Sequence, residues 1–153
     1  VMMRRPAGSK LSPDTELYRS KRTLRTLAKD GDMWNLDGVA VGKKQNAVHG
    51  GMSVGLLKRK IEILNQHCEN VGRDPSEHRY TISMPTKLSD NSSETSAFIK
   101  QVGPGTVAGS AQYIIDRVGE FIDEGVDEIM FSPRPSNSES LQRLDEDVLS
   151  AFV

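Results

Sequence analysis

The sequence predicts an α/β protein with a parallel sheet, and three observations carry that reading. Apolar stripes at helical spacing alternate with short apolar runs of strand length along most of the chain. Two helix-to-strand joints share one pattern: Lys29-Asp30-Gly31-Asp32 before Met33, and Asp123-Glu124-Gly125-Val126-Asp127 before Ile129. The expected strands are short and apolar, as strands covered by helices are. A barrel and a doubly wound sheet both fit. Only three strands are legible in the 153 residues, too few to close an eight-stranded barrel.

Residues 1–20 hold Pro6, Gly8 and Pro13 among polar residues without a period, and read as an irregular basic arm. Residues 21–29 read as a helix with Leu24, Leu27 and Ala28 on one face, ended by Gly31 in a left-handed conformation. Met33-Trp34-Asn35-Leu36 is the first strand, closed by Asp37-Gly38. Residues 39–55, with Gly42, Gly50, Gly51 and Gly55, read as a long loop. Leu57, Ile61, Leu64, Cys68 and Val71 then recur at spacings of four and three, one stripe of a helix that Gly72 stops. Residues 78–84 alternate, placing Tyr80, Ile82 and Met84 on one side of a second strand. Residues 87–109 are polar, with one helical turn expected at 97–100. Ser110 caps a helix that buries Ile114, Ile115, Val118, Phe121 and Ile122, and Gly125 ends it. Residues 126–131 form the third strand, halted by Ser132-Pro133-Arg134-Pro135. Leu141, Leu144, Val148 and Phe152 mark a terminal amphipathic helix.

Composition narrows the function classes. Apolar residues make up 36% and charged residues 27% of the chain, with a net charge of -1, as in a globular protein and unlike a disordered one. No apolar run approaches the ~18 residues of a membrane span. The basic start lacks an apolar core to follow it, so no secretory signal is expected. Cys68, the single cysteine, has no partner for an internal disulfide, and a cytoplasmic location is the expectation. Charge is nonetheless uneven: residues 1–29 hold eight Lys and Arg against two acids, residues 89–153 four against twelve. Without aromatic interleaving or a recognition helix, the basic arm reads as a solvated terminus, and no nucleic-acid partner is expected.

In a parallel sheet, active sites gather at the carboxyl ends of the strands. That rule selects Leu36-Asp37-Gly38, Pro85-Thr86-Lys87 and Ser132-Pro133-Arg134, whose cations suit an anionic cofactor or substrate. Arg134 stands out because its planar fork can hold phosphate or carboxylate through two bonds. His49, His67 and His78 lack ligand spacing, so no metal site is expected. His67 reads as a surface residue and Cys68 as a small buried hydrophobe. Asp145-Glu146-Asp147 reads as a solvated helix face.

Three segments, in order, resemble the luciferase-like monooxygenase family, which includes deazaflavin-dependent oxidoreductases. They are Lys21-Arg22-Thr23-Leu24-Arg25 through Gly31-Asp32-Met33-Trp34-Asn35-Leu36; Ile61-Glu62-Ile63-Leu64 through His67-Cys68-Glu69 to Val71-Gly72-Arg73-Asp74-Pro75; and Gly109-Ser110 through Arg117 and Phe121 to Gly125-Val126-Asp127-Glu128. The resemblance covers about residues 21–152. It implies the C-terminal portion, about three βα units, of a TIM (β/α)8 barrel in residues 21–153, with residues 1–20 outside the family pattern. It also implies FMN or a deazaflavin coenzyme at the strand ends and a small-molecule substrate. Carried over by position, Thr23 matches a cofactor-phosphate contact at the start of its helix. Asp37 and Gly38 match the loop bordering the cofactor ring or phosphate, and Arg134 an anion contact. Ser110 matches only a cap. Where the family has a glycine-rich strand end before that first helix, this chain has Leu17-Tyr18-Arg19-Ser20.

Two functional expectations follow. One is a flavin- or deazaflavin-dependent oxidoreductase, with the isolated chain inactive because the first half of the barrel is missing. The other is a non-catalytic fragment or interaction module that keeps the family sequence. Its open parallel edges invite pairing, and thus a homo-oligomer.

Overall fold

The computed structural model describes residues 13–37, 53–103 and 105–153, with only the backbone course of 13–21 and 37. Helices and parallel strands alternate: α1 (Pro13–Asp30), β1 (Met33–Asp37), α2 (Val54–Val71), β2 (Arg79–Leu88), α3 (Ser92–Val102), β3 (Val107–Gly109), α4 (Ala111–Asp123), β4 (Glu128–Pro133) and α5 (Ser138–Asp147). Single 3-10 turns occupy Pro75–Glu77 and Leu149–Phe152.

All pairings are parallel, and β2 is the central strand. Residues 81–83 pair with β1 and β4 at once, and Thr86 with β3 and β4 at once. A strand has two edges, so β1 and the short β3 share one edge of β2 and β4 takes the other. The three strands legible in the sequence therefore lie side by side in the order β1, β2, β4.

Side-chain parity divides the sheet into two unlike faces. Leu36, Ile82 and Met84 are buried in one core with Leu57 of α2, Ile114, Val118 and Phe121 of α4, and Leu144 of α5. A second cluster packs Leu24 and Ala28 of α1 against Leu64 and Cys68 of α2. Trp34 borders both clusters and meets the Tyr80 ring edge-on at 6.3 Å. The opposite face is polar. There Thr81 Oγ1 donates to Asn35 Oδ1 (3.2 Å), Asn35 Nδ2 donates to Ser83 Oγ (3.4 Å), and Met33 and Met130 are exposed.

Caps fix the element ends. Ser53, Asn91, Ser110 and Asn137 each accept a backbone N–H of the first turn they precede. Gly72 (φ 72°) closes α2 and Gly125 (φ 88°) follows α4, both in the left-handed region.

Several expectations change. The first helix starts at Pro13, inside the arm expected to be irregular, because a residue without an N–H suits the first helical position. Gly31 is not left-handed; the constraint there is space, since a Cβ would lie 2.7 Å from the Leu27 side chain. The single turn expected at 97–100 is the eleven-residue α3. Phe98 is its one buried residue, so no stripe announces it. The last helix ends at Asp147, leaving Leu141 and Phe152 exposed. Ile122 of α4 is exposed as well. The expected loop at 39–55 lies outside the described residues up to Met52, while Val54 and Gly55 belong to α2.

Candidate functional site

At the carboxyl ends of β2 and β4 lies a cleft of about 300 Å³, bordered by α3 and α5. The strands themselves build its floor. Thr86 pairs with Pro133, and the Arg134 N–H donates to the Thr86 carbonyl (2.9 Å), carrying the pairing one residue beyond β4. Pro133 and Pro135 on either side restrict the backbone that presents the arginine. Thr86 Oγ1 turns back onto the Met84 carbonyl (2.9 Å).

The walls bring charge. Lys87, Arg134 and Arg143 line the cleft with Glu94 and Glu139. Lys87 Nζ reaches Glu94 Oε2 at 3.4 Å, and Glu94 also accepts from Ser89 Oγ (3.3 Å). Arg143 lies 3.8 Å from Asp147. The Arg134 side chain has no hydrogen bond or ion pair among the described residues. Asn137, the cap of α5, lines the same cleft and accepts from the Ser140 N–H (2.9 Å).

The expected site residues separate in space. Arg134 lines the cleft. Asp37 ends β1 with its backbone paired to Ser83, level with Met130 and short of the Thr86–Pro133 pair that floors the cleft. Gly38 lies outside the described residues. Thr23 sits on an exposed stretch well inside α1, since that helix starts at Pro13. A helix start leaves N–H groups free for an anion, whereas N–H groups within the helix bond to earlier carbonyls. Thr23 therefore lies within α1 and not at its start. Arg143 and Asn137 escaped the sequence reading. Their signal was the cap at Asn137, which sets Ser140, Arg143 and the buried Leu144 toward the strand ends.

The residues that carry much of the family resemblance lie at the other end of the sheet. Arg73 donates to Asp32 Oδ1 (2.6 Å), to Glu77 Oε2 (2.9 Å) and to the Gly31 carbonyl, tying the entry of β1 to the entry of β2. Its hydrogen bonds to Asp32 and Glu77 push its ionisation still higher. Asp127 accepts from the Tyr80 N–H (2.7 Å) while its own N–H donates to the Tyr80 carbonyl (2.8 Å), fastening the entry of β4. Buried His78 places Nε2 3.3 Å from the Leu27 carbonyl, with Nδ1 3.3 Å from the Pro75 carbonyl and 3.9 Å from Cys68 Sγ. Burial pushes the Cys68 thiol up, away from reactivity. Half-buried His67 leaves Nε2 without a hydrogen-bond partner, where a surface position was expected. No three His, Cys, Asp or Glu side chains converge to hold a metal among the described residues, and no helix among them is long and apolar enough to cross a membrane.

No family model matches the sequence, and no curated protein matches it. Solved structures do share its architecture. An F420-dependent secondary alcohol dehydrogenase, in complex with an F420-acetone adduct, aligns with a TM-score of 0.63 at 10% identity over 85% of this chain and 46% of its own. A riboflavin lyase, with modified FMN and the substrate riboflavin, aligns at 0.61 and 11% identity over 86% of this chain and 40% of its own. EDTA monooxygenase from Chelativorans sp. BNC1 aligns at 0.57 and 11% identity over 84% of this chain and 43% of its own. The likeness is one of fold. This chain spans less than half the length of each of these structures.

Proposed function

We propose that this chain forms about three βα units of a TIM (β/α)8 barrel belonging to a flavin- or deazaflavin-dependent oxidoreductase of the luciferase-like type. One observation carries the reading: β1, β2 and β4 lie parallel and adjacent, and a cleft presenting Arg134 opens at the carboxyl ends of β2 and β4. The proteins of like fold are described with F420, with FMN and riboflavin, and as a monooxygenase. A cation-bearing cleft fits the anionic end of FMN or a deazaflavin coenzyme, with Arg134 as the contact. The bound cofactor would supply hydride or oxygen chemistry, and the protein its positioning and electrostatics. Asp37 and Gly38 stand as further candidates at the end of β1, and a small organic molecule is the proposed substrate.

A titration of the chain with FMN and with a deazaflavin coenzyme, read by cofactor fluorescence, tests the reading. Saturable quenching that Arg134→Met weakens supports it. Fluorescence unchanged by the chain, with both cofactors, overturns it.

A second reading has its own support. The outer edges of β1 and β4 are unpaired among the described residues, and the polar sheet face is exposed at Asn35, Glu128 and Ser132. Unpaired strand edges invite a partner strand. A non-catalytic module that pairs through these edges, with another copy or with a chain bearing the remaining strands, would sediment as a complex and bind neither cofactor.

A further inference from the structure

We infer that the outer edge of β4 is a homodimer interface, where a second copy pairs its own β4 antiparallel and Glu128 of each copy meets Arg134 of the other. The inference deepens the edge-pairing reading above by naming the edge and the partner.

Hydrogen-bond parity decides what the edge offers. The Arg134 N–H bonds the Thr86 carbonyl, so the even-numbered residues of β4 turn their backbone groups to β2. Alternation leaves Ile129 and Phe131 with N–H and C=O on the outer side, and Pro133 with its C=O alone. No strand among the described residues pairs with that side. The helix α5 leaves the edge open, since its Leu144 packs back into the core with Ile82 and Met84.

Charge selects the partner and the register. Glu128 and Arg134 stand at opposite ends of this edge, and shared parity puts both side chains on the polar face. Arg134 has no side-chain partner among the described residues, and Glu128 meets Arg79 only at 3.8 Å, both of that pair more than half exposed. A two-fold axis at Phe131 sets each Glu128 opposite Arg134 of the second copy, and Met130, 38% exposed, opposite Ser132. Phe131 then bonds its own copy in both directions, and each Ile129 N–H meets the Pro133 carbonyl of the other chain. Moving the axis to Met130 or to Ser132 faces Glu128 with Ser132 or Ser136, and both ion pairs are lost. The other free edge offers no such match: an axis at Asn35 faces Met33 with Asp37, without a cation. Exposed ion pairs add little affinity, but they fix register and exclude wrong partners. With Arg134 engaged, the cleft loses that cation, in keeping with a module that binds neither cofactor.

Sedimentation equilibrium over a range of concentrations reads the dimer, with circular dichroism to verify the fold of each variant. Glu128→Arg or Arg134→Glu alone makes both junctions like-charged and should raise the dissociation constant about tenfold or more. The chain carrying both substitutions should regain the dimer. Met130→Cys combined with Ser132→Cys should give a disulfide-linked dimer under mild oxidation, whereas Asn35→Cys on β1 should not. A dimer unmoved by either charge reversal, but cross-linked through Asn35→Cys, overturns the inference and leaves the edge-pairing reading standing on β1. A dimer weakened by the single reversals that the double reversal fails to restore also overturns it. Folded monomer at every concentration overturns both the inference and edge pairing with a second copy.

Discussion

The Arg73 guanidinium lies 2.6 Å from the Asp32 carboxylate, across 41 positions of sequence, and joins the turn before β1 to the turn before β2. The arginine is largely covered while the aspartate is exposed, so much of the arginine's value lies in its simultaneous bonds to Glu77 and the Gly31 carbonyl. This cluster sits at the amino ends of the strands, the end of a parallel sheet that serves stability, with the candidate cleft at the other.

Replacing that arginine should therefore loosen the sheet entry without touching the cleft. Arg73→Met is expected to lower the urea midpoint, modestly because water can meet the exposed Asp32 and Glu77 carboxylates it leaves. Arg73→Lys should restore only part, since a single ammonium cannot serve three acceptors spread around a planar fork. Urea unfolding of the three proteins measures this, and equal midpoints would refute it.

Asp74 gives the adjoining turn a pH dependence. Its carboxylate accepts the Ser76 N–H (2.9 Å), which holds its ionisation below the usual aspartate range. A folded-state value below the unfolded one means stability that is present above the unfolded value of about 3.9 and lost as pH falls through the folded one. Asp74→Asn keeps an acceptor but cannot titrate. The variant should show a flatter acid limb in stability against pH, with little change at neutral pH.

His78 and Cys68 share a buried corner, and each predicts a different readout. A neutral His78 ring donates to only one of the Leu27 and Pro75 carbonyls, both of which also accept a backbone N–H. His78→Phe therefore removes one hydrogen bond and should cost about 1 kcal/mol in denaturant unfolding. Cys68 should react slowly with a thiol reagent in the native state and rapidly in urea, because burial disfavours its thiolate. Equal rates in both conditions would contradict its place between α1 and α2.

Glycine and leucine pairs separate true constraints from apparent ones. Gly72→Ala must adopt φ 72° and should destabilise by about 1–2 kcal/mol. Gly55→Ala, in α2 with no atom near its added methyl, should stabilise by up to about 1 kcal/mol. Leu64→Ala, in the seam between α1 and α2, should cost about 2–5 kcal/mol, whereas Leu141→Ala, 53% exposed, should cost little. Melting temperatures of the four variants check all of these at once.

The elements legible in the sequence are those with a one-sided apolar period. Leu57, Leu64 and Cys68 announce α2, and Ile114, Val118 and Phe121 announce α4, because a helix against a sheet buries one stripe. The helix α3 buries Phe98 alone, and β3 is three residues long, so neither leaves a period to read. Leu141 continues the stripe of α5 in sequence but points past the core, which only the placement of α5 on the strand ends decides. For the site, proline-flanked Arg134 after an apolar run was visible as a loop cation at a strand end. Arg143 was not, because a lone arginine on an acidic amphipathic helix looks like any solvated side chain.

The sequence by itself determined the alternation of helices and strands, the parallel sense of the sheet and three of its four strands. These follow from local spacing, caps and glycines, which act over a few residues. Tertiary structure alone decided that Lys87, Arg134 and Arg143 share a cleft and that Arg73 reaches Asp32. Each of these depends on where separate elements come to rest against one another, and no local pattern records distances across the sheet.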